Sequence, residues 1–108
     1  MDTKMLSNLS IPIILLAVAT AVIHLVLGVP NGMVMFILNG IGYLVLVIAL
    51  YLPQLKKYQK LTRWALIAFT AVTIIGWAVV GARNTIAYVD KLIEVALIAL
   101  LFLEGRKS

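Results

Sequence analysis

The chain contains no cysteine. That excludes a disulfide framework, thiolate-bound zinc, iron–sulfur clusters, Cys-attached haem and thiol redox chemistry, and it leaves the compartment open. There is one histidine, His24, so a single chain cannot build a multi-histidine metal site. Charge is equally scarce. Only 12% of the 108 residues are Asp, Glu, Lys or Arg, and four of them are acidic. An ordinary soluble domain carries about 25% charged and about 45–50% apolar residues. Here 64% are hydrophobic and the mean hydropathy is +1.13. A soluble domain this small buries only about two-thirds of its surface. A water-soluble monomer would therefore expose large apolar patches, and a disordered tail would be far more polar. Catalytic triads, phosphate-cradling loops and metalloprotease motifs are absent from the sequence, so the expectation is a non-enzymatic protein.

The formal charge of +5 invites a nucleic-acid reading. A nucleic-acid face needs basic residues clustered on a soluble surface. In this chain Lys and Arg lie in short segments between apolar runs, which is the pattern that orients membrane proteins. The expected partners are the lipid bilayer and other membrane subunits or a second copy, with no nucleic acid.

Four apolar runs are visible, at roughly 11–28, 33–52, 61–81 and 86–103. Each is about the length that crosses a ~30 Å hydrocarbon core at 1.5 Å per residue. Ser10 can cap the first run, and Pro12 is tolerated in its first turn. Val29-Pro30-Asn31-Gly32 reads as a turn that ends it. Pro53 stops the second run and opens a basic segment, 53–60. Ala82-Arg83-Asn84-Thr85 separates the last two runs, and Asn84 or Thr85 can cap the fourth. Asp2 offsets Lys4 and no small-residue cleavage pattern follows the first run, so it is expected to be kept as a span. The runs do not alternate, which excludes a β-barrel. The predicted fold is an all-α integral membrane protein. It is a single domain over 1–108, a four-transmembrane-helix up-down bundle.

With four spans, both termini and the middle loop share one side. Lys4, Lys56, Lys57, Lys60, Arg63, Arg106 and Lys107 fall there, and only Arg83 and Lys91 fall opposite. The positive-inside rule then places both termini in the cytoplasm, in a cell (inner) membrane. Tyr51, Tyr58 and Trp64 fall near the inner interface, and Trp77 and Tyr88 near the outer one, the depths amphipathic rings prefer.

Ionisable groups within a span are costly and point to function. The fourth run carries Asp90, Lys91 and Glu94. Asp90 and Glu94 share a helix face at i, i+4, and Lys91 can pair with Glu94 at i, i+3. With the predicted topology, His24, Asn39, Thr73, Trp77, Arg83, Asp90, Lys91 and Glu94 all fall in the outer half. The inner half has few strongly polar groups besides Tyr43 and Thr70. Ala17, Ala21 and Gly28 lie on the face of His24, and Asn39-Gly40-Ile41-Gly42 gives the second helix a small surface; both favour close helix contacts.

Two readings of this cluster stand open. In one, Glu94 and Asp90 form a proton- or cation-binding site with His24 as proton partner, lined by Asn39 and Trp77, with Lys91 and Arg83 nearby. In the other, the same residues staple the bundle together. The leading functional expectation is a small protein acting by helix association, as a homo-oligomer or an accessory subunit of a larger complex. The alternative is a proton- or cation-coupled transporter or channel using Glu94. A lesser alternative is haem or pigment ligation by His24. The four methionines, Met1, Met5, Met33 and Met35, form no stripe and give no copper pathway.

The length and span count resemble the small multidrug resistance exporters, whose essential glutamate lies in the first helix. Here the first helix has none, and Glu94 is in the last. Tyr51-Leu52-Pro53-Gln54, with Gly42-Tyr43 before it and Gly76-Trp77 after it, resembles the Pro-Gln dipeptide of PQ-loop and SemiSWEET-type sugar transporters. Those have three helices per unit, and their last-helix asparagine has no counterpart at Val89-Asp90-Lys91. Neither resemblance assigns a family.

Overall fold

A computed structural model of the chain describes residues 8–81 and 83–107, and at Lys107 the backbone only. Lys4, counted above for orientation, lies outside the described residues, as do Met1, Asp2 and Met5. The described secondary structure is entirely helical. It comprises α1 (Ser10–Asn31), α2 (Val34–Tyr51), a short 3₁₀ segment (Pro53–Tyr58), α3 (Gln59–Val80) and α4 (Thr85–Lys107). Ser10–Asn31, Val34–Tyr51 and the segment Pro53–Val80 are each long and apolar enough to cross a membrane. At 23 residues α4 is as long, but it carries Asp90, Lys91, Glu94 and Glu104.

The helix ends follow local chemistry, with three corrections. α1 does not stop before Pro30. It runs through the proline to Asn31, and Gly32 takes a left-handed conformation at φ 64°. The N–H of Gly32 donates to the Val29 carbonyl, and that of Met33 donates to the Gly28 carbonyl at 2.9 Å. This pair of bonds is the Schellman C-cap, for which glycine is suited because it lacks a Cβ. Ser10 does not cap α1. It is the first helical residue, fully buried, and donates from Oγ to Glu104 Oε2 at 2.8 Å. A capping serine accepts from a backbone N–H ahead of it; Ser10 lies inside the helix instead, and its hydroxyl donates to a charged acceptor on another helix. The expected cap of α4 is present at Asn84, whose Oδ1 accepts from the Ala87 N–H at 2.9 Å. Pro53 opens the 3₁₀ turn after α2, where its missing N–H is not needed. α4 runs on to Lys107, past the expected end at 103.

Each helix packs against two others: α1 against α2 and α4, and α3 against the same two. Neighbours are antiparallel. Gly28 lies beside Phe36, and Gly40 lies beside Ala21. Ser10 meets Glu104 at one end, and Thr20 meets Asp90 near the other. The described chain measures 40 × 22 × 19 Å. One end, here the termini end, holds the start of α1 and the end of α4. The opposite end, the hairpin end, holds the α1–α2 turn and the start of α4.

The apolar core comprises Ile13, Ala17, Ala21, Tyr43, Val47, Leu50, Tyr51, Leu66, Leu97 and Leu101. Around it, large aliphatics face outward: Val79 is 75% and Val80 85% exposed, and Ile11, Met35 and Leu92 about as much. Charged side chains face inward: Arg63, Asp90, Lys91, Glu94 and Glu104 are all buried. Water-soluble proteins almost never fully bury such groups unless they are paired. Here they are paired, and the apolar surface is on the outside.

Close approach of α1 and α2 depends on small residues. A Cβ at Gly40 would stand 2.7 Å from Leu25 Cγ and 2.9 Å from the Ala21 carbonyl oxygen. Gly40→Ala is therefore expected to destabilise by about 1–3 kcal/mol through overpacking. Gly76 on α3 has nothing within 4 Å of that position, so Gly76→Ala should be neutral or stabilising by about 0.5–1 kcal/mol from helix propensity. Thermal unfolding of the two variants in detergent checks the contrast. Equal effects would show that the α1–α2 contact is not tight.

Candidate functional site

The candidate site is built by three helices at the hairpin end. On α4, the spacing of Asp90, Lys91 and Glu94 turns all three inward. α1 contributes Thr20 and His24, one turn apart. α2 contributes Tyr43. All six are buried, with Glu94 and Tyr43 at 0% exposure.

The bonds form one network. Lys91 Nζ donates to Glu94 Oε1 at 2.5 Å and lies 3.2 Å from Asp90 Oδ2. Tyr43 donates its hydroxyl to Glu94 Oε2 at 2.6 Å. Thr20 Oγ1 donates to Asp90 Oδ1 at 2.5 Å and lies 3.3 Å from Glu94 Oε2. His24 Nδ1 is 2.7 Å from the Thr20 carbonyl oxygen. A carbonyl only accepts, so Nδ1 carries a hydrogen and Nε2 is the nitrogen left to face the site. Nε2 lies 3.7 Å from Asp90 Oδ2. Tilted contacts with Phe36 and Tyr43, at centroid distances of 5.4 and 5.9 Å, hold the ring.

Charge counting follows from these contacts. Two carboxylates share one ammonium, and the imidazole adds a charge only when protonated. With neutral His24 the network carries one net negative charge inside an apolar shell. One atom from each of His24, Asp90 and Glu94 lies within 4.8 Å of the others, a spacing at which three ligands can converge on a metal ion. The Lys91 ammonium already contacts both carboxylates. A proton can be added without displacing it. A haem or pigment would need the Nε2 side of His24, and that side faces Asp90.

The eight polar residues expected in the outer half therefore do not form one cluster. His24, Asp90, Lys91 and Glu94 come together. Asn39 does not join them; its Oδ1 accepts from Thr73 on α3 at 3.3 Å. Trp77 and Arg83 lie apart as a surface group. The Arg83 guanidinium stacks 4.2 Å from the Trp77 ring centre, Tyr88 meets the same ring edge-on, and Arg83 donates to the Ala78 carbonyl oxygen. Thr20 joins the site without having been expected. Tyr43, expected in the inner half, reaches Glu94.

A second buried polar cluster lies at the termini end. Glu104, 3% exposed, accepts from Ser10, from Tyr51 Oη at 2.9 Å and from Arg63 at 3.2 Å. From the sequence, Arg63 reads as an orienting charge and Glu104 lies beyond the last span. A signal was available. Glu94, Leu97, Leu101 and Glu104 recur at spacings of three, four and three, one continuous helix face. No known protein family, curated protein or solved structure compared with the chain matches it.

Proposed function

We propose that the chain is a non-enzymatic four-span membrane protein in which the hairpin-end network binds and releases one proton, as the coupling site of a small transporter or channel. The apolar exterior, the paired charges inside and the three long apolar helices support the membrane reading. The bias of basic residues supports a cytoplasmic location for both termini and the 53–60 segment. The network then lies nearer the other side. The observation that carries the proton reading is the charge count. Asp90 and Glu94 share Lys91, and among the described residues the other basic group in reach is His24. An uncompensated charge in a dry interior costs several kcal/mol, and one proton removes it.

Protein reconstituted into vesicles with a trapped pH-sensitive dye tests this. Wild-type protein is expected to carry proton flux above protein-free vesicles under an imposed gradient. Glu94→Gln leaves Asp90 and Lys91 balanced without the proton and keeps an acceptor for Tyr43. It should abolish the flux while the helical circular dichroism signal is retained. Wild-type vesicles as tight as empty ones would overturn the proposal.

A second reading, association with another membrane subunit or a second copy, is favoured by one face. On α3, Val72, Ile75 and Val79 are exposed and Gly76 leaves a flat patch between them. Comigration with other subunits in mild detergent, lost on Gly76→Leu, would support it; a monodisperse single chain would count against it.

A further inference from the structure

A groove of about 450 Å³ runs between α3 and α4 at the termini end. Its rim carries Lys57, Lys60 and Arg106, all exposed, with Lys56 beside them. Among the described residues no carboxylate lines it. Arg63 forms part of the wall. One of its terminal nitrogens is held by Glu104, but its Nε is buried without a hydrogen-bond partner. Buried donors are almost always satisfied, so this N–H lacks an acceptor at a basic groove. Gly105 leaves room for the arginine to pass: a Cβ there would stand 3.1 Å from Arg63 Cδ. The groove is not polar throughout. Ile67, Leu101 and Phe102 line its continuation toward the apolar part of the helices, and Trp64 flanks it.

We infer that this groove binds the phosphate-bearing headgroup of an anionic phospholipid. The phosphodiester would supply the acceptor that Arg63 Nε lacks and would meet Lys57, Lys60 and Arg106. An acyl chain would lie along Ile67, Leu101 and Phe102. The apolar continuation selects a lipid over a free anion, because inorganic phosphate has nothing to place there. Basic residues at a membrane surface, each contributing about 1 kcal/mol toward anionic lipid, give the charge its selectivity. The inference rests on the membrane reading of the chain and is independent of the proton site.

The chain has two tryptophans, so Trp77→Phe leaves Trp64 as a reporter at the groove. Flotation of this variant with neutral phosphatidylcholine vesicles first tests the membrane reading by itself. Detergent-solubilised protein is then titrated with short-chain phosphatidylglycerol, short-chain phosphatidylcholine and inorganic phosphate. A saturable Trp64 fluorescence change with phosphatidylglycerol, at least about tenfold tighter than with phosphatidylcholine, is expected. Lys57→Gln, Lys60→Gln and Arg106→Gln together should weaken it on the order of a hundredfold, about fivefold for each exposed charge removed. Arg63→Lys, which keeps the charge and loses Nε, should weaken it with Glu104 still paired. Equal responses to the two lipids, a response to phosphate matching that to phosphatidylglycerol, or full binding by the triple variant would each overturn the headgroup site. Failure to float with neutral vesicles would overturn the membrane reading instead.

Discussion

Lys91→Met is expected to be among the most destabilising single substitutions in the chain. It removes the ammonium that Asp90 and Glu94 share and leaves two buried carboxylates with His24 as their one basic neighbour among the described residues. Breaking a buried ion pair by removing one partner costs about 3–5 kcal/mol. For a domain of this size that is a fall in apparent Tm on the order of 20 °C, read by thermal unfolding in detergent. The cause is charge rather than lost contact, and the two can be separated. Adding Glu94→Gln to Lys91→Met removes the surplus carboxylate and should recover more than half of the loss. A double variant as unstable as the single one would show that lysine packing, and not charge balance, sets the energy. Wild-type stability for Lys91→Met alone would show that water reaches the network.

Glu104→Ala should have a comparable effect at the opposite end. Glu104 is the shared acceptor of Ser10, Tyr51 and Arg63. Its loss leaves a guanidinium whose side chain is 6% exposed without a counter-charge, and takes one acceptor from each of two hydroxyls. About 3–5 kcal/mol is again expected, dominated by the arginine. Tyr51→Phe removes one neutral donor and should cost only about 1 kcal/mol. Arg63→Met in the Glu104→Ala background should restore part of the stability, because it removes the buried guanidinium left without a counter-charge. If Glu104→Ala and Tyr51→Phe were equally mild, Arg63 would be solvated, and the termini-end cluster would not be a buried unit. Both sets of variants are measured by the same unfolding experiment.

The two clusters differ in how far each could be read from the sequence. Asp90, Lys91 and Glu94 were legible because they are close in sequence and i, i+3 and i, i+4 neighbours share a face in any helix. The Asn84 cap was legible for the same reason: its partner is three residues away. Ser10 was not, because the carboxylate its hydroxyl donates to is 94 residues distant. Trp77, Arg83 and Asn39 share a depth with the site but not a direction. Topology gives how far along a helix a side chain lies. Which neighbour it faces depends on how the helix is rotated against the others. The small residues at 28, 40 and 42 were legible as contact formers, and they meet within this one chain rather than between chains.

The scarcity of charge, the four apolar runs and the bias of the basic residues belong to the sequence alone. They depend on composition and on periods shorter than one helix, which no tertiary arrangement alters. What only the tertiary structure decided is which polar groups meet. Thr20 reaches Asp90 across 70 positions, Tyr43 reaches Glu94 across 51 and Arg63 reaches Glu104 across 41. The physical reason is that an ionisable group in an apolar shell must find a partner, and only closure of the four helices brings one within reach. That closure gathers the buried charges into two networks, one pairing Arg63 with Glu104 and one in which Asp90 and Glu94 share Lys91 beside His24.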